Sequence, residues 1–279
     1  MIKTGIQSNA YLTEDIDGGF AKLKSHGYDC ADYRMENPNL PLYALTETEY
    51  ERYLTGVGLS AKKNGVEIFQ THGLWPTDDT TASNRRKKIE TYKKQIRGNA
   101  YLGCKNMVVH PCMPFGWFGN KEDYEQIFAM NAEELTALAP YAKEYGVTLC
   151  LENMPGGITN GAFVNEVVKT INDDFIKICF DTGHAHTQKE DFYQTLKAMG
   201  EDLRVLHVHD NNGKNDLHAI PFQYTLDWEA FVCGLNSVGY GGCMSLETFV
   251  PNKTPQPMRE QMQKALFGIC KYLAGRIEG

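Results

Sequence analysis

Acids and imidazoles recur immediately after short apolar runs in this chain. QTHG carries His72, VVHP carries His110, CLENMPGG carries Glu152, and CFDTGHAH carries Asp181, His184 and His186. LHVHDNNGKNDLH then brings His207, His209, Asp210, Asp216 and His218, and SLETF brings Glu247. A mixture of carboxylate and imidazole suits a divalent ion such as Mn, Zn, Co or Mg. If these run ends converge, the buried carboxylates repel one another at a cost of several kcal/mol unless a cation compensates. Each residue also has an ordinary alternative. A histidine after a strand is commonly a polar cap, and Glu152 or Asp181 is able to serve a helix N-terminus. His186, His209 and Asp210 read equally well as loop residues. The set as a whole favours chemistry, because six runs would otherwise have acquired polar ends independently. Trp75 and Trp117 follow the third and fourth runs and are candidate walls of a sugar-sized pocket; Cys112 and Met113 read as loop filler.

The elements that must position these groups follow from the hydrophobic pattern. Strands are expected at Ile2–Gln7, Asp29–Tyr33, Val66–Thr71, Asn106–His110, Val147–Glu152, Ile176–Asp181, Leu203–His209 and Cys243–Glu247. Helical patterns lie at Arg85–Leu102, Tyr124–Tyr145, Asp191–Met199, Trp228–Val238 and Gln256–Ile277, with Gly146 as a stop. Glu36–Glu51, rich in Pro and Asn and following the second strand, reads as an active-site loop with a short helix, or as a simple connection. Strands alternating with helices and no linker argue for a single (β/α)8 TIM barrel over residues 1–279, with a doubly wound sheet as the alternative. In such a barrel all strand C-termini open on one face, where active sites lie. Side chains alternate along a strand. Cys150 with Glu152, Cys179 with Asp181, and His207 with His209 therefore point inward. Leu149, Leu151, Ile178, Phe180, Leu206 and Val208 point outward to the helices.

The bulk composition agrees. A chain of 279 residues suits one barrel, and 42% hydrophobic with 23% charged residues is ordinary for a globular protein. The net charge of −7 argues against a nucleic-acid partner. Eight scattered cysteines without a CxxC pair suit reduced thiols in a cytoplasm. The N-terminus lacks an apolar signal segment, and no stretch has the roughly 18 apolar residues of a membrane span. A cytoplasmic location without a membrane partner is expected.

LENMPG, CFDTGHAH, LHVHDN and SLET, in this order and spacing, resemble the xylose isomerase-like TIM-barrel superfamily over nearly the whole chain. That superfamily holds sugar phosphate isomerases and epimerases and the endonuclease IV (AP endonuclease family 2) enzymes. Similarity to the ketose 3-epimerase branch implies one metal, manganese first among the candidates, held by Glu152, Asp181, His207 and Glu247. Glu152 and Glu247 then double as catalytic acid and base, and His184 contacts substrate. The branch's arginine after the seventh strand is missing from HDNNGKND, where Lys214 is no equivalent. Its second substrate-binding glutamate is missing from Pro155–Thr159. Similarity to endonuclease IV implies three zinc ions on nine ligands: His72, His110, Glu152, Asp181, His184, His207, Asp216, His218 and Glu247. Against it, THGLWPTDDTT departs from that branch's third-strand loop, and no Arg-rich DNA-penetrating loop is present.

The expectation is a divalent-metal-dependent isomerase or epimerase acting on a sugar or sugar phosphate by proton transfer next to a carbonyl, through an enediolate. His72, His110, His184, His209, Asp216, His218, Trp75 and Trp117 are expected as substrate contacts or a second metal site. A zinc phosphodiesterase acting on abasic DNA and a sugar dehydratase are the alternatives. Family analogy also implies a homo-oligomer.

Overall fold

Eight short strands form one parallel sheet in this computed structural model, and each ends in a polar residue or, for β4 and β8, directly before one. The structure describes residues 1–12, 15–114, 121–248, 250–251 and 253–278; Trp117 lies outside them. The strands are β1 (Lys3–Gln7), β2 (Cys30–Arg34), β3 (Glu67–His72), β4 (Asn106–Val109), β5 (Thr148–Glu152), β6 (Ile176–Asp181), β7 (Leu203–His207) and β8 (Cys243–Leu246). The helices are α1 (Ile16–His26), α2 (Glu47–Lys63), α3 (Ala82–Leu102), α4 (Tyr124–Tyr145), α5 (Gly161–Ile171), α6 (Thr182–Thr187), α7 (Phe192–Met199), α8 (Trp228–Ser237) and α9 (Gln256–Ala274).

Each strand pairs in parallel with its sequence neighbour, and β8 returns to β1 with Lys3 opposite Cys243. The ring closes beyond the end of β7. The Val208 N–H donates to the Ser245 carbonyl at 2.9 Å, and the Glu247 N–H donates to the Val208 carbonyl at 3.0 Å. The result is a (β/α)8 barrel.

Alternation along the strands divides the core in two. Val108, Cys150, Cys179 and Val205 form a small cluster with Phe69 packed against it. Leu149, Leu151, Ile178, Phe180, Leu206 and Val208 join a much larger apolar layer with helix residues such as Phe163, Phe192 and Phe231. The expected parity of β5, β6 and β7 therefore holds. Burying each such side chain contributes about 1.5–3 kcal/mol, so slipping one strand by a residue would cost several of these at once.

Helix ends follow local chemistry. Gly146 takes the left-handed conformation that stops α4, with φ 65°. Thr46 and Glu49 form a reciprocal capping box at the start of α2. That cap opens a 17-residue helix reaching Lys63, where the sequence pattern suggested only a short helix ending near Glu51. All eight cysteines are unbridged, and Cys233 alone is exposed. Among the described residues no helix is long and apolar enough to cross a membrane.

Candidate metal centre

The strand ends bring a dense set of buried acids and imidazoles to one mouth of the barrel. The β6 ladder ends with Asp181 opposite His207, and the β5 ladder ends with Glu152 opposite Cys179. These registers set Glu152, Asp181 and His207 side by side, and Glu247 arrives directly after β8. Ligand atoms of Glu152, Asp181, His207 and Glu247 all lie within 4.8 Å of one another. His207 Nδ1 sits between two carboxylates, 2.7 Å from Glu152 Oε1 and 3.2 Å from Glu247 Oε2. Its far nitrogen, Nε2, lies 2.9 Å from Asp32 Oδ2. Gln7 donates to Glu247 Oε1 at 3.0 Å.

The other histidines share one device. A backbone carbonyl accepts from Nδ1 and leaves Nε2 aimed into the mouth. His72 donates to the Gly73 carbonyl (3.0 Å), His110 to the Leu74 carbonyl (3.3 Å), His184 to the Asn153 carbonyl (2.8 Å) and His218 to the Glu247 carbonyl (2.9 Å). The freed Nε2 atoms approach acids: His110 reaches Glu152 at 3.1 Å, His72 reaches Glu247 at 3.6 Å, and His184 and His218 reach Asp216 at 3.4 and 3.2 Å. His209 Nε2 lies 3.1 Å from Asp181, and its ring stacks on His218 with centroids 4.2 Å apart. Further compact groups result, among them one of His72, His110 and Glu152 and another of His184, His209, Asp216 and His218. Asp181 also caps α6, accepting from the His184 N–H at 2.7 Å, so its capping and its place in the site coexist.

The electrostatics fit a cation. Asp32 Oδ1 is buried without a hydrogen bond, and Glu152 Oε2 is buried with the His110 Nε2 atom 3.1 Å away. Burial pushes the Glu152 carboxyl up, but His207 and His110 outweigh it and hold it well below the ordinary carboxylate range. Burial pushes His207 down, and the surrounding acids, Glu247 and Glu152 among them, raise it well above its ordinary value. The same contest holds His184 up at about 10 and His218 at about 9. Two glutamates, an aspartate and an imidazole, buried and convergent, make a donor set suited to a borderline or hard divalent ion.

The mouth encloses a cavity of about 220 Å³, walled on one side by Trp75, whose ring lies 4.4 Å from that of His110. A buried ion triad fastens the loops that carry these two residues. Lys88 Nζ lies 2.7 Å from Asp79 Oδ1 and 2.9 Å from Glu134 Oε1, and Asp79 accepts from the Met113 N–H at 3.0 Å.

Every described member of the expected set lies at the mouth, while His186 faces Thr225 Oγ1 at 3.5 Å instead. Asp210 shapes its own loop by accepting from the Asn211 and Tyr224 N–H groups. Asp32, Gln7, Asn153 and Arg34 were not among the expected site residues, and Glu36 was expected only as the start of a candidate active-site loop. Asn153 brackets Asp181 through both its backbone N–H (2.8 Å) and its carbonyl (3.0 Å). Arg34 and Glu36 line the cavity and pair with each other. Asp32 and Gln7 are polar residues buried within β2 and β1, and their burial becomes evident only once the strands close into a ring.

A model of the xylose isomerase-like TIM barrel family matches residues 20–266. The inosose isomerase of Bacillus licheniformis is 25% identical over 252 residues, spanning 87% of this chain and 86% of that protein. A crystal structure of D-psicose 3-epimerase in the presence of D-fructose superposes with a TM-score of 0.80 at 15% identity, covering 98% of this chain and 100% of the other. The IOLI protein with a binding zinc atom superposes with a TM-score of 0.78 at 19% identity, covering 100% of both chains. By the match over residues 20–266, the chain belongs to the xylose isomerase-like TIM barrel family.

Proposed function

We propose that this protein is a divalent-metal-dependent sugar isomerase or epimerase that moves a proton on a carbon next to a carbonyl. The observation that carries the proposal is the pair of glutamates, Glu152 and Glu247, flanking His207 Nδ1 at 2.7 and 3.2 Å beside the cavity. Glu152, Asp181, His207 and Glu247 would hold the ion. When bound, the ion supplies the positive charge that polarises the substrate carbonyl and its neighbouring hydroxyl, stabilising an enediolate. One glutamate removes the proton, and the other returns it. Gln7 orients Glu247, and Asp32 orients His207. The Nε2 atoms of His184 and His218, with Asp216 between them, present donors and an acceptor to sugar hydroxyls. The inosose isomerase relative supports a polyol or sugar substrate.

The test is solvent exchange. Metal-loaded protein is incubated with a panel of ketoses and inososes in D2O, and deuterium at carbon is read by NMR. Exchange into at least one compound, abolished in Glu152→Gln and Glu247→Gln, is expected. Isomerisation, epimerisation and dehydration share this first step, so the readout does not depend on the product. Absence of exchange across the panel in metal-replete protein overturns the proposal.

A second reading rests on the two additional groups, His72–His110–Glu152 and His184–His209–Asp216–His218. They complete the nine positions of the endonuclease IV resemblance, which points to a three-zinc phosphodiesterase cleaving abasic DNA. The net charge of −7 weighs against a DNA partner. Zinc-dependent nicking of a duplex with one abasic site would favour this reading over the first.

A further inference from the structure

We infer that Asn153 and Thr182 are positioning residues: their side chains carry the barrel's hydrogen-bond ladders one step beyond the strands, and so hold Asp181, His184 and His209 at the mouth. This rests on the metal reading above and extends it to residues that do not touch the ion.

The strands stop short of the groups they deliver. The β5–β6 ladder ends with Glu152 opposite Cys179, and the β6–β7 ladder ends with Asp181 opposite His207. Beyond these pairs the chain leaves β6 for α6, which begins at Thr182. Asp181 and His209 are nonetheless fully buried, so their backbone groups need partners in place of a strand.

Side chains supply them. The Asn153 carboxamide accepts from the Asp181 N–H at 2.8 Å and donates to the Asp181 carbonyl at 3.0 Å. The Thr182 hydroxyl accepts from the His209 N–H at 3.0 Å and donates to the His209 carbonyl at 2.7 Å. Each reproduces the pair of bonds that a neighbouring strand makes. This accounts for the residue types in LEN and DTGH. A carboxamide and a hydroxyl each carry a donor and an acceptor, and neither an apolar side chain nor a carboxylate does.

What the two side chains hold is the site itself. Asp181 belongs to the four-ligand group, and His209 Nε2 lies 3.1 Å from its carboxylate. The Asn153 main-chain carbonyl accepts from His184 Nδ1 at 2.8 Å, which leaves Nε2 facing Asp216. Asp181 therefore takes its backbone position from Asn153 and, through His209, the setting of its carboxylate from Thr182. A buried asparagine at the opposite end of the barrel gives the contrast. Asn106 opens β4, donates to the Phe69 carbonyl at 2.7 Å and accepts from Arg204 at 2.8 Å, and neither partner belongs to the site.

The experiment is titration of metal-free protein with Co2+ against a competing chelator, with the visible absorption of the bound ion read at saturation and Tm read in EDTA. Asn153→Leu and Thr182→Val keep the approximate shape and remove both bonds. Each should bind Co2+ about 10–100-fold more weakly and shift its visible bands. Thr182→Ser keeps the hydroxyl and should retain the wild-type affinity and spectrum. Asn153→Asp and Thr182→Ala, the milder changes, take the place of a first variant that fails to fold. Asn106→Leu should lower Tm and leave the affinity and spectrum as in wild type. Unchanged affinity and spectrum in the Asn153 or the Thr182 variant, whatever its Tm, marks a merely structural role and overturns the inference. An equal loss of affinity in Asn106→Leu overturns it too. Wild type that binds no Co2+ overturns the metal reading itself, whereas binding by wild type that the variants leave untouched overturns this inference alone.

Discussion

Asp32→Asn tests how the barrel prepares its metal ligand. Asp32 is fully buried in β2, and its Oδ2 lies 2.9 Å from His207 Nε2 while also accepting from Gln70 at 3.1 Å. This contact turns Nδ1, the other nitrogen, toward Glu152 and Glu247. A carboxylate behind a ligating imidazole fixes its tautomer and raises its basicity, and removing such a partner typically costs 10–100-fold in metal affinity, about 1.4–2.7 kcal/mol. The amide has nearly the same shape, so packing is retained while the charge is lost. In metal-free protein the sign reverses: one of several crowded acids disappears, and thermal stability in EDTA holds or rises. Chelator-competition titration with Mn and Zn reads the affinity, and differential scanning calorimetry in EDTA reads the stability. Unchanged affinity in Asp32→Asn would refute the reasoning that Asp32 acts through His207.

Other perturbations address the scaffold. Lys88→Met leaves Asp79 and Glu134 buried without their cation and should cost about 3–5 kcal/mol, lowering Tm by roughly 6–10 °C. Adding Asp79→Asn and Glu134→Gln should recover most of that loss, and an unchanged Tm in the single variant would contradict the account. In Gly183→Ala the new Cβ would meet His209 Cε1 at 1.9 Å, so His209 must leave Asp181; a loss of about 1–3 kcal/mol is expected in thermal unfolding. Glu260 on α9 is held at about 2 by Lys22 and His26 of α1. Its folded value lies below the ordinary 4.5, so its contribution is present above pH 4.5 and is lost as pH falls toward 2. The gap in Tm between wild type and Glu260→Gln should therefore close over that window. The gap is small throughout, because Glu260 is partly exposed and such pairs contribute about 0–1 kcal/mol.

The residues legible in the sequence were those that interrupt an apolar run at its end. Glu152, Asp181, His207 and Glu247 stood out because each follows buried residues where a parallel barrel opens. The parity of CLE, CFD and LHVH then placed them inward, as observed. Asp32 was missed because a polar residue in the middle of CADYR also reads as the solvent face of a half-buried strand. Only the ring of strands shows that β2 is enclosed on both faces. Arg34 escaped notice for a related reason: it lies early in the chain, far from the motifs, and only barrel closure brings β1 and β2 beside β8. Helices α1 and α5 were hidden by paired glycines in IDGGF and by β-branched residues in FVNEVVKTI, both weak helix formers whose apolar faces are held by packing. The seventh strand was drawn to His209, but its ladder stops at His207, where Val208 turns to close the ring.

On the proposed function, the convergent acids and imidazoles hold a divalent ion used for sugar chemistry. The most direct measurement is metal content per chain, by elemental analysis, of wild type, Glu152→Gln and Glu247→Gln purified without added metal. One Mn, Co or Zn per wild-type chain and a marked loss in both variants are expected. Two or three Zn per chain would shift the assignment to the phosphodiesterase reading, and no bound metal even after incubation with Mn or Zn would contradict the claim outright.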